Sequence, residues 1–338
     1  MNYMGIDHHK QYSHITMLNE KGKKLKSGRV ANYRSELERF LDCSGEVKAV
    51  IEAGRSSYTM VDLLDELSID VTIAHPLQVK AIAQAKIKTD KRDSFMLAHL
   101  LRTDLIPAVY KRSQENRGYQ RILRQRAFYV GSTTRTKNKI RALLAQQGEE
   151  LRDKVSRKKN LFTGSGIKFL KTLNLPDTDK KLLSALLKTF NHLEERKKET
   201  NGLVEKLYQE IPEARLIQTV PGYGVFLSVL TAVEIADIER FSEVSKFHSY
   251  AGVIPSTHSS GERTYHGKII KQGNRWLRWA AVEAVWPSLK ADFDMRCFYN
   301  KLKKRKGPNP AKVAAARRML TIIFRILKEK RPYIPYKR

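Results

Sequence analysis

The chain has 338 residues, enough for two or three domains, and 41% of them are hydrophobic, enough to fill buried cores. Its 64 Lys and Arg against 35 Asp and Glu leave a formal net charge of +29, so a polyanionic partner is expected, and nucleic acid is the commonest one. A disulfide framework or zinc site is excluded by two distant cysteines, Cys43 and Cys297, and a membrane partner by the lack of any long uninterrupted apolar segment.

The opening "MNYMGIDHHK" lacks the charged start and apolar stretch of a secretory signal, which places the expected site of action in the cytoplasm. "YMGID", "SHITML" and a third run near "KSGRVA" form short apolar or alternating segments around the turn "NEKGKK" and predict an antiparallel three-strand meander. "SELERFLDC" has helical spacing, "VKAVIEA" reads as a buried strand, "YTMVDLLDELS" as a helix and "DVTIAH" as another strand. Helices are predicted at about 77–85 and 91–103. Three strands followed by alternating helix and strand predict a mixed sheet with helices on its faces.

Residues from about 115 to 210 read as almost wholly helical. Leu183, Leu186, Leu187, Phe190 and Leu193 recur at three- and four-residue steps, which suits an antiparallel helix pair, an intermolecular coiled coil, or a helix packed on its own domain. Asn201-Gly202 is expected to interrupt a long uniform coil. Beyond it, "IQTVPGYGVFLSVLTAVEI" sets Gly222 and Gly224 between two apolar helices, like a helix-hairpin-helix whose turn amides can receive a DNA phosphate; a plain tight turn is the simpler alternative. The division that follows is an α/β domain at 1–150, a helical, coiled-coil-like segment at 151–210, and a mainly helical domain at 211–338.

Four acidic residues form a pattern. Asp7 ends the first strand, Glu52 ends the fourth, and Asp90 and Asp93 share one face at the start of a later helix. Strand ends in such a sheet meet at a crevice, and a helix running past them completes a cluster of four carboxylates. So many negative charges share a pocket only with cations, and oxygen donors select Mg²⁺ or Mn²⁺. Helix capping is the plainer role for Asp90 and Asp93. Lys91 and Arg92 fall off their face, where they would hold a phosphate backbone. Alternation sends His8 opposite Asp7, and both histidines of "DHHK" are expected to be ordinary residues.

Further on, "PSTHSSGERTYHGK" reads as a loop in which Ser256, Thr257, Ser259, Ser260 and Thr264 surround Gly261, flanked by Arg263 and Lys268. Its composition suits phosphate binding, and no local rule singles out one hydroxyl as a nucleophile.

In order along the chain, "GIDHHK", "VIEAG", "KTDKRDSFMLAHLLR", "VPGYG", "FHSYAGVIPSTHSSGE" and "KQGNRWLRWA" resemble the DEDD transposases of the one-hundred-and-ten family of insertion sequences. The resemblance implies a RuvC-like domain of ribonuclease-H fold coupled to a C-terminal transposase domain. Carried over by motif, the acidic tetrad falls on Asp7, Glu52, Asp90 and Asp93 and the catalytic serine on Ser260, with Ser259 beside it. It implies Mg²⁺-dependent cutting and rejoining of donor and target DNA through a phosphoserine bond, guidance by an element-encoded bridge RNA, and action as a dimer or tetramer. Arg263, Lys268, Lys271 and Arg275 join Lys91 and Arg92 as expected nucleic-acid contacts. A junction nuclease that uses water, or a non-catalytic nucleic-acid-binding protein, are the alternatives.

Overall fold

The computed structural model describes residues 1–42, 44–83, 89–260, 263–270 and 272–335, with the side chains of 257–260, 263, 264 and 266 outside that description. The chain divides into two compact units, Met1–Gln114 and Glu115–Arg338. The boundary between them falls near the start of a long helix, well before residue 150, where the sequence pattern changes.

In the first unit β1 (Asn2–His8), β2 (Tyr12–Asn19) and β3 (Lys24–Ala31) form the meander, followed by α1 (Arg34–Leu41), β4 (Val47–Glu52), α2 (Ser57–Glu66), β5 (Asp70–Ala74), α3 (Pro76–Ile82), α4 (Asp90–Arg102) and β6 (Ala108–Val109). The strands lie in the order β3-β2-β1-β4-β5-β6. β1 is antiparallel to β2 and parallel to β4, β4 is parallel to β5, and the short edge strand β6, which the sequence reading missed, is antiparallel to β5. It is the mixed sheet expected from the sequence, with helices packed on it.

Strand alternation sorts the sheet's two faces. Met4, Ile6, Ile15, Met17, Ala49 and Ile51 are buried in one core with Leu37 of α1 and Met60, Val61 and Leu64 of α2. Their neighbours in sequence point the other way, toward α4, where Val50, Ala74 and Leu97 form a smaller core. Gly5 lies on that second face. A Cβ there would sit 2.0 Å from the Ser94 carbonyl oxygen and 2.4 Å from the Ala98 amide nitrogen, so the missing side chain is what lets α4 rest directly on β1.

The second unit consists of α5 (Gln114–Ala145), whose first residue ends the first unit, α6 (Glu149–Ser156), α7 (Gly164–Thr172), α8 (Asp177–Glu210), α9 (Pro212–Gln218), α10 (Val225–Ile235), α11 (Val244–Ala251), the antiparallel pair β7 (Pro255–Ser260) and β8 (Arg263–Ile269), α12 (Arg275–Ala291), α13 (Phe293–Lys306) and α14 (Pro308–Lys328). α5 and α8 run antiparallel: Arg126 Nε, early in α5, donates to Asn201 Oδ1, late in α8, at 3.1 Å, and Gln147, just past α5, bonds Asp179 at the start of α8 at 2.9 Å. α8 continues unbroken through Asn201 and Gly202, which corrects the expected interruption. Gly202 costs a helix only about 1 kcal/mol, and packing of Thr200, Val204 and Leu207 on either side of it readily offsets that. Leu183 and Leu187 are buried with Ile140, Leu144 and Leu170 of the same unit, so this stripe packs on its own domain.

A larger apolar core joins α9 to α14. The turn between α9 and α10 holds Gly222 at φ +100°, where an L side chain is strained, and a Cβ there would lie 2.3 Å from the Ala284 carbonyl oxygen of α12. Gly224 is exposed and stands at the N-cap of α10. Where the sequence predicts a loop at 255–268, the described residues form two antiparallel strands, β7 and β8. Thr257, Thr264 and Tyr265 are residue types that suit strands, and the backbone of Ser260 pairs with that of Arg263.

Candidate metal and nucleic-acid site

Asp7 is positioned by the same alternation that buries Met4 and Ile6: it falls on the α4 side, two residues beyond Gly5. Cross-strand pairing sets it opposite His14 of β2. Asp90 arrives from the first turn of α4. The capping position there is filled by Thr89, whose hydroxyl oxygen accepts from the Arg92 amide at 3.3 Å. Thr89 thus supplies the side-chain cap, while Asp90 and Asp93 sit in the first turn, where the positive end of the helix dipole also favours acids.

Among the described residues, one set of carboxylate and imidazole groups comes together: ligand atoms of Asp7, His9 and Asp90 lie within 4.8 Å of one another. His9 Nε2 is 3.1 Å from Asp90 Oδ2 and 3.5 Å from Asp7 Oδ2. The Tyr12 hydroxyl donates to Asp90 Oδ2 at 3.2 Å, and the Arg29 guanidinium lies over the Tyr12 ring at 3.6 Å. His9, expected to be an ordinary residue, lies within this group. It stands just past the end of β1, where strand alternation no longer fixes its side. His8 does point the other way, with Nδ1 3.0 Å from the Ser13 hydroxyl. Tyr12 carried no motif and was not foreseen.

Burial raises the Asp7 carboxyl above the usual range; His9 pulls it back, while Asp90 and Asp93 raise it further. Beneath α4, His14 Nδ1 lies 3.0 Å from the Ser94 hydroxyl, which lies 2.8 Å from Thr16, itself 2.9 Å from Ser27. Burial lowers the His14 pKa despite the two aspartates nearby. This polar chain fixes the helix above the sheet and so fixes the distance from Asp7 to Asp90.

Asp93 lies one turn along α4 and lines a cleft of roughly 590 Å³ with Lys24, Lys91 and Arg92. Glu52 is the exposed last residue of β4, on the α4 side by alternation, and stands outside the group formed by Asp7, His9 and Asp90. The donor set fits a hard divalent cation: two carboxylates from separate elements converge, burial and then the neighbouring aspartates raise the Asp7 carboxyl, and a cation between them would offset both the burial cost and the repulsion.

In the second unit, Glu234 is buried in α10 and accepts from Gln120 at 3.0 Å, Arg124 at 3.2 Å and Asn274 at 2.8 Å. Asn274 also caps α12, accepting from the Trp276 and Leu277 amides at 3.0 Å each, and its own amide donates to the Tyr250 carbonyl at 2.6 Å. The sequence reading did not single out this network, which ties the chain following the hairpin to the helical core. Lys268 is exposed on β8, and Arg275, exposed at the start of α12, lies 5.4 Å from the Trp276 ring. The side chains of Ser259, Ser260 and Arg263, and Lys271 as a whole, lie outside the described residues.

Residues 4–148 match a family model for IS110 DEDD transposases, described as a transposase, and residues 214–300 match one described as transposase, IS116/IS110/IS902 family. The chain is 24% identical to the transposase for insertion sequence element IS1111A of Coxiella burnetii, an alignment covering 98% of this chain and 90% of that protein. It is 22% identical to the transposase for IS1328 of Yersinia enterocolitica over 83% of this chain and 82% of the relative. A probable family 20 transposase of Pseudomonas aeruginosa is 23% identical over 98% of this chain and 94% of its own length.

Proposed function

The chain belongs to the IS110 family of DEDD transposases, and on that footing we propose that it moves its own insertion sequence by cutting and rejoining DNA with an acidic metal site and a serine nucleophile. The observation that carries this reading is the approach of Asp7 and Asp90, from two separate elements, to within 4.8 Å of one another and of His9.

Asp7 and Asp90, with Glu52 and Asp93 at the rim, would hold Mg²⁺ or Mn²⁺ in a RuvC-like site. When bound, the ion supplies a Lewis acid that stabilises charge on a phosphoryl oxygen. His9 and Tyr12 orient the carboxylates. Lys91 and Arg92 hold the phosphate backbone beside Asp93, as do Arg263, Lys268, Lys271 and Arg275 in the C-terminal domain, with Gly222 and Gly224 in a helix-hairpin-helix-like turn. The Ser260 hydroxyl attacks the scissile phosphorus; its oxygen replaces the 3′ oxygen, which leaves with a proton as a 3′-hydroxyl. The phosphoserine ester keeps the bond energy for rejoining. Donor and target would be chosen by an element-encoded bridge RNA, and a chain of +29 relieves the mutual repulsion of that RNA and two duplexes. Two exchanged strands require at least two serines, hence a dimer or tetramer, acting in the cytoplasm at the nucleoid. Among the described residues no helix is long and apolar enough to cross a membrane.

The test uses cells carrying the gene with its native flanks and amplifies across the joined ends of the excised circle. Wild type should make the junction, while Asp93→Ala and Ser260→Ala should not. A junction from Ser260→Ala would transfer the role to Ser259 or to a water-using nuclease, and junctions from both variants would leave a non-catalytic binding protein.

A further inference from the structure

The α5–α6 corner of the second unit carries a second charged feature, remote in sequence from the acidic tetrad. A cleft of roughly 660 Å³ opens there, and Lys137, Arg141, Arg152, Lys158 and Lys159 line it together with Phe162. No Asp or Glu lines it, and among the described residues none of the five cations enters an ion pair.

The cations come from three places: α5 supplies Lys137 and Arg141, α6 supplies Arg152, and the segment leading to α7 supplies Lys158 and Lys159. A solvated basic helix face would spread its charges outward along one element, but these converge on a concavity. Their positions are held from below. Lys137 Nζ lies 5.4 Å from the rings of Phe162 and of Phe190, and Arg141 lies 5.1 Å from the Phe162 ring, while its guanidinium donates to Asn138 Oδ1 at 3.1 Å. Unpaired like charges gathered in a cleft repel one another and destabilise the fold unless an anion joins them. Five cations on three elements suit an anion with several charges in a row.

We propose that this cleft is a binding site for a single strand of nucleic acid, gripping successive phosphodiesters of its backbone. The concavity has the size of a pocket for a molecule of modest size, which a flexible single strand can follow with successive phosphates. A basic groove that tracks a backbone is the common form of sequence-tolerant single-strand binding.

The test is a fluorescence titration of the full chain with single-stranded RNA, single-stranded DNA and duplex DNA of equal length, each over a range of salt concentrations. The variant Arg152→Gln/Lys158→Gln/Lys159→Gln removes three cleft charges, two of them on exposed residues. The control Lys181→Gln/Lys198→Gln/Lys206→Gln removes three exposed charges from α8. Each phosphate contact on a single strand contributes about 0.7 to the slope of log affinity against log salt, so the cleft variant should lose about 2 from that slope and about a hundredfold in affinity at 0.1 M salt. The control and the charge-keeping variant Lys158→Arg/Lys159→Arg should stay near wild type. A stronger loss on RNA than on DNA identifies the bound strand as RNA, and the reverse as DNA. Equal losses in the cleft variant and the control, no loss in either, or a loss on duplex as large as on single strands would each overturn the proposal. Circular dichroism melts of all variants separate loss of fold from loss of binding.

Discussion

Gly5→Ala should damage both the fold and the reaction, because Gly5 is the point where α4 touches β1. The added methyl carbon would lie 2.0 Å from the Ser94 carbonyl oxygen, a full ångström short of the 3.0 Å that real Cβ contacts essentially never go below. The obstructing atoms belong to the helix backbone, so no side chain can swing away. α4 must retreat, and it carries Asp90 with it while Asp7 stays on the strand. Overpacking of this sort costs about 1–3 kcal/mol, and a displacement of about 1 Å between groups that act together lowers rate by about a hundredfold. Gly28→Ala in β3 is the matched control, since a Cβ there meets nothing within 4 Å. Thermal melting and quantitative amplification of the excised junction would be measured on both variants. A Gly5→Ala protein that melts with wild type and yields as many junctions would refute the claim that close helix–strand contact sets the acidic site.

Three further outcomes follow from particular contacts. Glu234→Ala strands Gln120, Arg124 and Asn274 around a buried space and should cost about 3–5 kcal/mol in urea unfolding, against less than about 1 if the network is incidental. His248 is buried, with Nε2 3.0 Å from the Thr321 hydroxyl and Nδ1 accepting from Arg317 at 3.2 Å, and burial together with the Arg317 charge lowers its pKa to about 4. Because the unfolded chain takes up that proton first, the stability from this histidine is complete above about pH 6.5 and fades as pH falls toward 4, by up to about 3 kcal/mol; His248→Gln should flatten the urea midpoint over that window, and an unchanged slope would count against it. His9→Ala should weaken Mn²⁺ binding roughly tenfold or more while leaving the melting temperature close to wild type; calorimetric titration would measure the first and a thermal melt the second.

Much of the first unit could be read in the sequence because its strands obey period two and its turns carry ordinary turn residues. The same periodicity placed Asp7 and Glu52 at strand ends on one face. What it could not give was the depth of α4 over the sheet, which depends on Gly5, and so it could not say that Asp7 and Asp90 meet while Glu52 stands apart from them. His9 follows the end of β1, so its approach to Asp7 and Asp90 depends on the chain's path beyond the strand, which periodicity does not give. In the second unit, helices were legible from their spacing, but the partner of a helical stripe is a tertiary fact: Leu183 and Leu187 could have faced another chain and instead pack on α5 and α7. Glu234 was invisible because a single acid in an apolar helix gains meaning only from Gln120, Arg124 and Asn274, which are far from it in sequence.

The central claim is that carboxylates brought together by β1 and α4 hold a divalent ion. It is tested most directly by Mn²⁺ titration of the full chain, following the loss of the free-ion electron paramagnetic resonance signal with and without competing Mg²⁺. Wild type should take up Mn²⁺ and release it to excess Mg²⁺, and Asp7→Asn and Asp90→Asn should each weaken uptake by orders of magnitude while remaining folded. Full uptake by a folded Asp7→Asn/Asp90→Asn double variant would contradict it.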